Sequence, residues 1–287
     1  MSAGRAKTGS TAAHKPATLS PPALARPAFP LRLNGSASAS VAIKKIAARA
    51  GVDWSNGQNE SKPRSQSRPL ELTSHDSRTV RARMVEKLAA QGVTDAAVLA
   101  AMGQVERHLF VDTALGAQAY EDTSLPIGLG QTISKPNVVA RMLELLRGGK
   151  PGKLGRVLEI GTGCGYQAAL LSHLATEVYS MERLRGLHEK AIENLRFLRL
   201  PNVHLLYGDG MLGYPRGAPY AAIIAAAGGQ AVPVAWTDQL AVGGRLVAPV
   251  LTGTGAQALV LIEKLPGGLR KTVLEAVSFV PLKSGMS

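Results

Sequence analysis

The chain has one cysteine in 287 residues, Cys164, which excludes an internal disulfide and any cysteine-based zinc cage. That usage fits a reducing compartment, and a cytoplasmic location is expected. No apolar run approaches the roughly 20 residues of a membrane span, and no apolar signal-peptide core is present, so no membrane partner is expected. Acidic residues are missing from the first 52 positions, Asp53 being the first, and aromatics there are nearly absent. Such a segment gains too little burial on ordering to offset its lost entropy.

What is present is unevenly placed. The formal net charge is +13, and residues 1–75 carry 11 Lys/Arg against 3 Asp/Glu. The basic character therefore belongs mainly to this Ser/Ala/Pro-rich stretch and argues little for a nucleic-acid-binding fold. Residues 1–75 are expected to form a disordered basic extension, with a short helix over 41–50 as the one exception. A solvated tail, a transit peptide and a weak tether to nucleic acid or membrane all remain open for it. Residues 76–287 are expected to form the folded domain, and the 45% hydrophobic content supplies a core.

From Asp76 the pattern alternates. A helix is expected over 77–90, with Val80, Met84, Leu88 and Ala89 on one stripe. A second follows over 95–102, capped by Thr94 with Asp95 in its first turn. Leu125–Pro136 reads as a loop, with Ser134 where a helix would be capped and Pro136 in that helix's first turn. Strands are expected at 157–160, 177–181, 203–207, 220–227 and 245–250, with helices at 166–175, 184–198 and 232–240 between them and Gly243-Gly244 as a turn. Segments 258–264 and 272–280 read as a closing antiparallel pair. Strands alternating with helices imply an α/β fold: a Rossmann-like, doubly wound, mostly parallel sheet with right-handed crossovers and a C-terminal antiparallel pair.

The stretch Val157-Leu158-Glu159-Ile160-Gly161-Thr162-Gly163-Cys164-Gly165-Tyr166 reads as a buried strand, a glycine-rich turn and the start of a helix. Glycine at 161, 163 and 165 lets the turn fold tightly and its backbone approach a ligand. The dinucleotide fingerprint G-x-G-x-x-G fails, because its third glycine falls on Tyr166. An acid at Glu159 suits a pyrophosphate poorly but can organise the loop or, through water, meet an ammonium group. This pattern resembles the first motif of class I S-adenosylmethionine (SAM) methyltransferases. Ligands in such sheets lie over the carboxyl ends of the strands, where Glu159, Glu182 and Asp209 fall. Glu182, 17 residues past Gly165, can accept ribose hydroxyls. Asp209 can reach an adenine amino group, with Gly210 leaving room for the ring. Singly each acid could as well be a solvated strand end or a helix cap.

A more specific likeness lies upstream. The runs Arg107-His108-Leu109-Phe110, Ala119-Tyr120-Glu121-Asp122, Leu125-Pro126-Ile127-Gly128 and Gly130-Gln131-Thr132-Ile133-Ser134 resemble the protein-L-isoaspartate O-methyltransferase family. So do Gly208-Asp209-Gly210, Ala218-Pro219-Tyr220, Gly243-Gly244-Arg245-Leu246-Val247 and Phe279-Val280-Pro281-Leu282. The resemblance spans about residues 76–282. It implies methyl transfer from SAM to the free α-carboxylate of L-isoaspartyl residues in damaged proteins and peptides, with no metal. It implies Ser134 as the active-site residue, with Gln131, Thr132 and Ile133 lining the same site, and the cofactor held by Glu159, Gly161, Gly163, Gly165, Glu182, Asp209 and Gly210. A carboxylate nucleophile is already ionised at neutral pH, which agrees with the lack of an evident Ser-His-Asp or Cys-His apparatus. A monomer without a specific nucleic-acid partner is expected.

Three positions depart from the family pattern: Ala221 follows Tyr220 where an acid is usual, Gly228-Gly229-Gln230 replaces an Ala/Pro-rich turn, and the polar contact after Leu282 falls on Lys283. His108 and Tyr120 are open between substrate binding and packing. A class I methyltransferase acting on a small molecule is the alternative. Nucleic-acid amino-methylation would call for an Asn/Asp-Pro-Pro-aromatic motif where Ala226-Ala227-Gly228-Gly229 stands. A non-catalytic binding protein would leave the SAM constellation unexplained.

Overall fold

A computed structural model describes Met1, residues 74–253 and residues 255–287. The expectations for residues 2–73, including the short helix over 41–50, lie outside the described residues. Helices α1 (Ser74–Ala90) and α2 (Ala96–Gln104) lead into two short 3-10 turns and a small antiparallel hairpin, β1 (Leu125–Gly128) and β2 (Gln131–Ile133). Then come α3 (Pro136–Arg147), β3 (Leu154–Ile160), α4 (Tyr166–Leu174), β4 (Ala175–Glu182), α5 (Arg185–Arg196) and β5 (Val203–Tyr207). The chain closes with β6 (Tyr220–Ala225), α6 (Val234–Gln239), β7 (Leu240–Leu251), β8 (Gln257–Leu265) and β9 (Gly268–Val277).

The main sheet has the order β5-β4-β3-β6-β7-β8-β9. The pairs from β5 to β7 are parallel, and β8 and β9 add antiparallel. The expected doubly wound sheet with a closing antiparallel pair is what the structure has. After β3 the chain winds outward through β4 and β5, then returns to the far side of β3 to lay down β6. That reversal opens a crevice at the carboxyl end of β3, the usual ligand position in such sheets.

Two apolar layers cover the sheet. One joins α1 to α5 through residues such as Met142, Leu143, Leu170 and Leu171. The other gathers Trp236, Tyr220, Leu158 and Leu246. Helix α5 keeps its expected stripe, burying Leu187, Ala191 and Leu195. In α1 the buried side runs through Ser77, Arg81, Met84 and Leu88, while Ala89 is exposed.

Several local expectations are corrected. Asp95, not Thr94, caps α2, its carboxylate accepting from the N–H of Ala97 (2.9 Å) and Val98 (3.1 Å). Thr94 instead donates its N–H and hydroxyl to Glu144 on α3. The stretch 125–136 is no simple loop, because the β1–β2 hairpin occupies most of it. Ser134 does not cap α3. Lys135 holds the cap position without a side-chain bond, and the N–H of Asn137 donates to Asp122 from a separate loop (2.9 Å). Gly243-Gly244 is not a turn between elements. Strand β7 runs through it with an irregularity that sets Tyr220 opposite Leu240 but Ala222 opposite Arg245. Gly243 absorbs this at φ +78°, a conformation other residues adopt at a cost.

Candidate active site

A cleft of about 610 Å³ lies over the carboxyl ends of β3 and β4, roofed by the β1–β2 hairpin and flanked by residues 280–283. That volume suits a cofactor-sized ligand. Gln131, Thr132, Ile133, Ser134, Gly161, Gly163, Glu182 and Gly210 all line it. Residues distant in sequence are thus brought to one place. Glu159, Gly165 and Asp209 do not line it, and each has another local task.

The glycine-rich turn is held by its backbone. The N–H groups of Gly161 and Thr162 donate to the Met181 carbonyl (2.8 and 3.3 Å), and Gly165 donates to Thr162 (2.9 Å). Gly161, Gly163 and Gly165 all have positive φ. At Gly163 a Cβ would lie 3.2 Å from Ile127, so the turn and hairpin approach closely there. At Gly165, the N-cap of α4, a Cβ would press on Leu195 at 3.1 Å. That glycine serves helix packing rather than the cleft.

The three acids divide sharply. Glu182 is almost buried, and its Oε2 accepts from the N–H of Gly163 while Oε1 accepts from Arg183 and Leu184, each at 2.9 Å. A carboxylate offers about four acceptor positions, so three are taken and little more than one faces a ligand. Glu159 is fully buried beneath the turn. Its Oε2 accepts from the Ser180 hydroxyl, and Oε1 has no partner. The Ser180 hydroxyl also lies 2.7 Å from that of Thr162, so a hydrogen bond joins the two. Burial first, then the nearby Glu182 charge, pushes the Glu159 carboxyl up to about 8 against the Ser180 hydrogen bond. Glu159 therefore braces the turn from below. Asp209 caps the following 3-10 turn by accepting from Met211, and its other oxygen accepts from Gly285 (2.7 Å). Gly210 is glycine because a Cβ would meet Ile160 at 2.5 Å, a packing demand from β3.

On the opposite wall Ser134 is half-buried, and its hydroxyl makes no hydrogen bond among the described residues. Its carbonyl accepts from Arg107 at 2.8 Å. The hairpin tip Leu129 lines the cleft in a left-handed conformation (φ +51°) and is 62% exposed. Lys190 of α5 donates to the Ile127 carbonyl at 2.9 Å and ties the hairpin across the cleft. His108 and Tyr120 do not line the cleft. The His108 Nδ1 lies 2.7 Å from the Tyr120 hydroxyl, which sits beside the Arg81–Glu106 ion pair. Burial lowers the His108 pKa and raises that of Tyr120. Sequence reasoning missed Thr162, Leu129 and Lys190. The uncommon position of Leu129 between two glycines was the one available signal. Among the described residues no three His, Cys, Asp or Glu side chains gather as a metal site, and no helix is long and apolar enough to cross a membrane.

Comparison with known proteins gives one answer. The family model for protein-L-isoaspartate(D-aspartate) O-methyltransferase matches residues 79–287. A protein-L-isoaspartate O-methyltransferase of Leptothrix cholodnii is 60% identical over 230 residues, covering 78% of this chain and 81% of its own. One from Burkholderia thailandensis is 55% identical over 246 residues, with 85% and 73% covered. A solved protein-L-isoaspartate O-methyltransferase aligns with a TM-score of 0.65 at 30% identity, covering 72% of this chain and 67% of its own. A Plasmodium falciparum structure described as a protein of that type, in complex with S-adenosyl-L-homocysteine, aligns with a TM-score of 0.62 at 26% identity and covers 71% and 98%.

Proposed function

Because the chain belongs to the protein-L-isoaspartate O-methyltransferase family, we propose that Ser134 is its active-site residue and that the cleft below it holds SAM through Glu182 and the turn at Gly161 and Gly163. The enzyme transfers a methyl group from SAM to the free α-carboxylate of L-isoaspartyl residues in proteins, the first step of their repair through a succinimide. SAM, when bound, supplies an electrophilic methyl on sulfur. The observation that carries the residue assignment is a Ser134 hydroxyl, unpaired among the described residues, on the same cleft as a carboxylate already oriented by three backbone N–H groups.

The substrate carboxylate needs no general base, since it is ionised near pH 7. The residues therefore have to align it and exclude water. An anion meeting a cation loses charge as the bond forms, so a poorly solvating site favours the step. Ile127, Ile133, Val139 and Ile160 supply such walls. Ser134, on the hairpin side, can donate to a carboxylate oxygen and fix its approach. Glu182 can accept from a ribose hydroxyl with the lone pair left to it. Asp209 can serve an adenine amino group once Gly285 shares or yields its oxygen. Glu159 acts from beneath by holding Thr162 through Ser180.

The small-molecule alternative is not favoured. The same reading takes the protein as a cytoplasmic monomer with no specific nucleic-acid partner. The single free cysteine fits the reducing compartment, and the concentration of basic charge in residues 1–75 argues against a nucleic-acid-binding fold. Ser134→Ala tests the residue assignment. Methyl transfer to an isoaspartyl peptide should fall at least about 100-fold, the scale of losing an aligning group, with SAM affinity and melting temperature unchanged. Full activity in Ser134→Ala would refute the role given to Ser134.

A further inference from the structure

Three arginines are buried among the described residues, and one of them differs from the other two. Arg81 pairs with Glu106 at 3.1 Å, and Arg147 pairs with Asp95 at 2.8 Å. Arg107 is fully buried and makes no ion pair among the described residues. Its Nε donates to the Ala119 carbonyl at 2.7 Å, and its Nη2 to the Ser134 carbonyl at 2.8 Å, with Thr123 at 3.5 Å. Its Nη1 has no hydrogen-bond partner among the described residues, and the guanidinium lies 4.9 Å from the centroid of the Tyr166 ring. A buried cation without a carboxylate is costly to keep. Packing alone would be served as well by an apolar side chain.

One of the carbonyls that the guanidinium holds belongs to Ser134, in a segment with few bonds of its own. The Ser134 carbonyl lies beyond the last β2 residue and before Pro136, which has no N–H to offer. The first turn of α3 takes no side-chain cap from its own segment. Left alone, the chain at residue 134 could shift while the hairpin and helix kept their own bonds. We infer that Arg107 is a positioning residue for methyl transfer: by fixing the Ser134 carbonyl, it fixes where the Ser134 hydroxyl meets the substrate carboxylate. The fork of a guanidinium suits this task because one group reaches separate carbonyls at fixed angles, whereas an ammonium is a single point. The inference rests on the role proposed for Ser134.

The test compares Arg107→Lys, Ser134→Ala, their double variant and Arg147→Lys, the last a buried arginine away from the cleft. For each, turnover of an isoaspartyl peptide, SAM affinity and melting temperature are measured. Arg107→Lys should lower kcat about 10- to 100-fold, the size of effect expected from a displacement near 1 Å, with SAM affinity within about twofold. The double variant should be no slower than Ser134→Ala alone, because the two residues act as one unit. Arg147→Lys should lose melting temperature without a matching loss of kcat. Multiplying losses in the double variant, or an Arg107→Lys defect that only tracks melting temperature as in Arg147→Lys, would overturn the inference while leaving Ser134 intact. Full activity in Ser134→Ala would instead remove the reading beneath it. Arg107→Gln, which keeps a planar donor, carries the same comparison if the lysine variant does not fold.

Discussion

The carboxyl ends of β3 and β4 and the segment from Leu125 to Ser134 form facing walls of one cleft, yet they are held by different means. On the sheet side, backbone bonds do the holding. Gly161 and Thr162 hang from Met181, and the Glu182 carboxylate is clamped by three N–H groups. On the hairpin side, side chains reach across from elsewhere. Lys190 holds Ile127, Asp122 holds the start of α3, and Arg107 holds Ser134. A wall made by strand register tolerates change in side chains that do not face it. A wall pinned by single side chains depends on each pin, and changes there should affect turnover before they affect the fold.

The largest effect that would sharpen this contrast is expected at Glu182. Glu182→Ala removes a ligand acceptor and leaves the N–H of Gly163 without its partner, so SAM affinity should fall about 100-fold, in keeping with about 1.5–3 kcal/mol for a hydrogen bond to a charged group. Calorimetric titration would show it, and an unchanged affinity would break the assignment of the sheet side to the cofactor. Next comes Gly210→Ala, whose Cβ would lie 2.5 Å from Ile160. It should cost about 1–3 kcal/mol of stability as an overpacking change, seen as a lower denaturation midpoint. Glu159 gives an effect that depends on pH. Its folded pKa of about 8 lies above the ordinary 4.5, so its contribution is fully present below pH 4.5 and is lost as pH rises to about 8. The slope is roughly 1 kcal/mol per pH unit. Glu159→Gln, which cannot ionise, should flatten that fall, and parallel stability profiles for the two proteins would show that burial does not govern this group. The smallest effect is expected at the hairpin tip. Leu129→Gly relieves a left-handed conformation worth about 1 kcal/mol and should raise stability slightly while raising the peptide KM, with SAM affinity unaltered.

The same contrast explains what could be read from the chain. The sheet side was legible because its signals are local: an acid and three glycines after an apolar strand, then acids at the next two strand ends. Even so, sequence could not tell a ligand contact from a brace. Glu159 and Gly165 carry the expected motif but face Ser180 and Leu195 instead of the cleft. The hairpin side was legible only through the family likeness at Gln131–Ser134. Its capping rule misfired at Ser134 because the N–H of Asn137 is met by Asp122, 15 residues away, and no local pattern encodes that bond. Arg107 escaped for a related reason. An arginine in sequence reads as a surface charge, and only the fold shows it enclosed and spent on three carbonyls.

The most direct measurement is methyl transfer from labelled SAM to two peptides that differ only in L-isoaspartate against L-aspartate at one position. The account predicts base-labile label on the isoaspartyl peptide and none on its partner. Equal labelling of both, or none on either while SAM still binds, would contradict it.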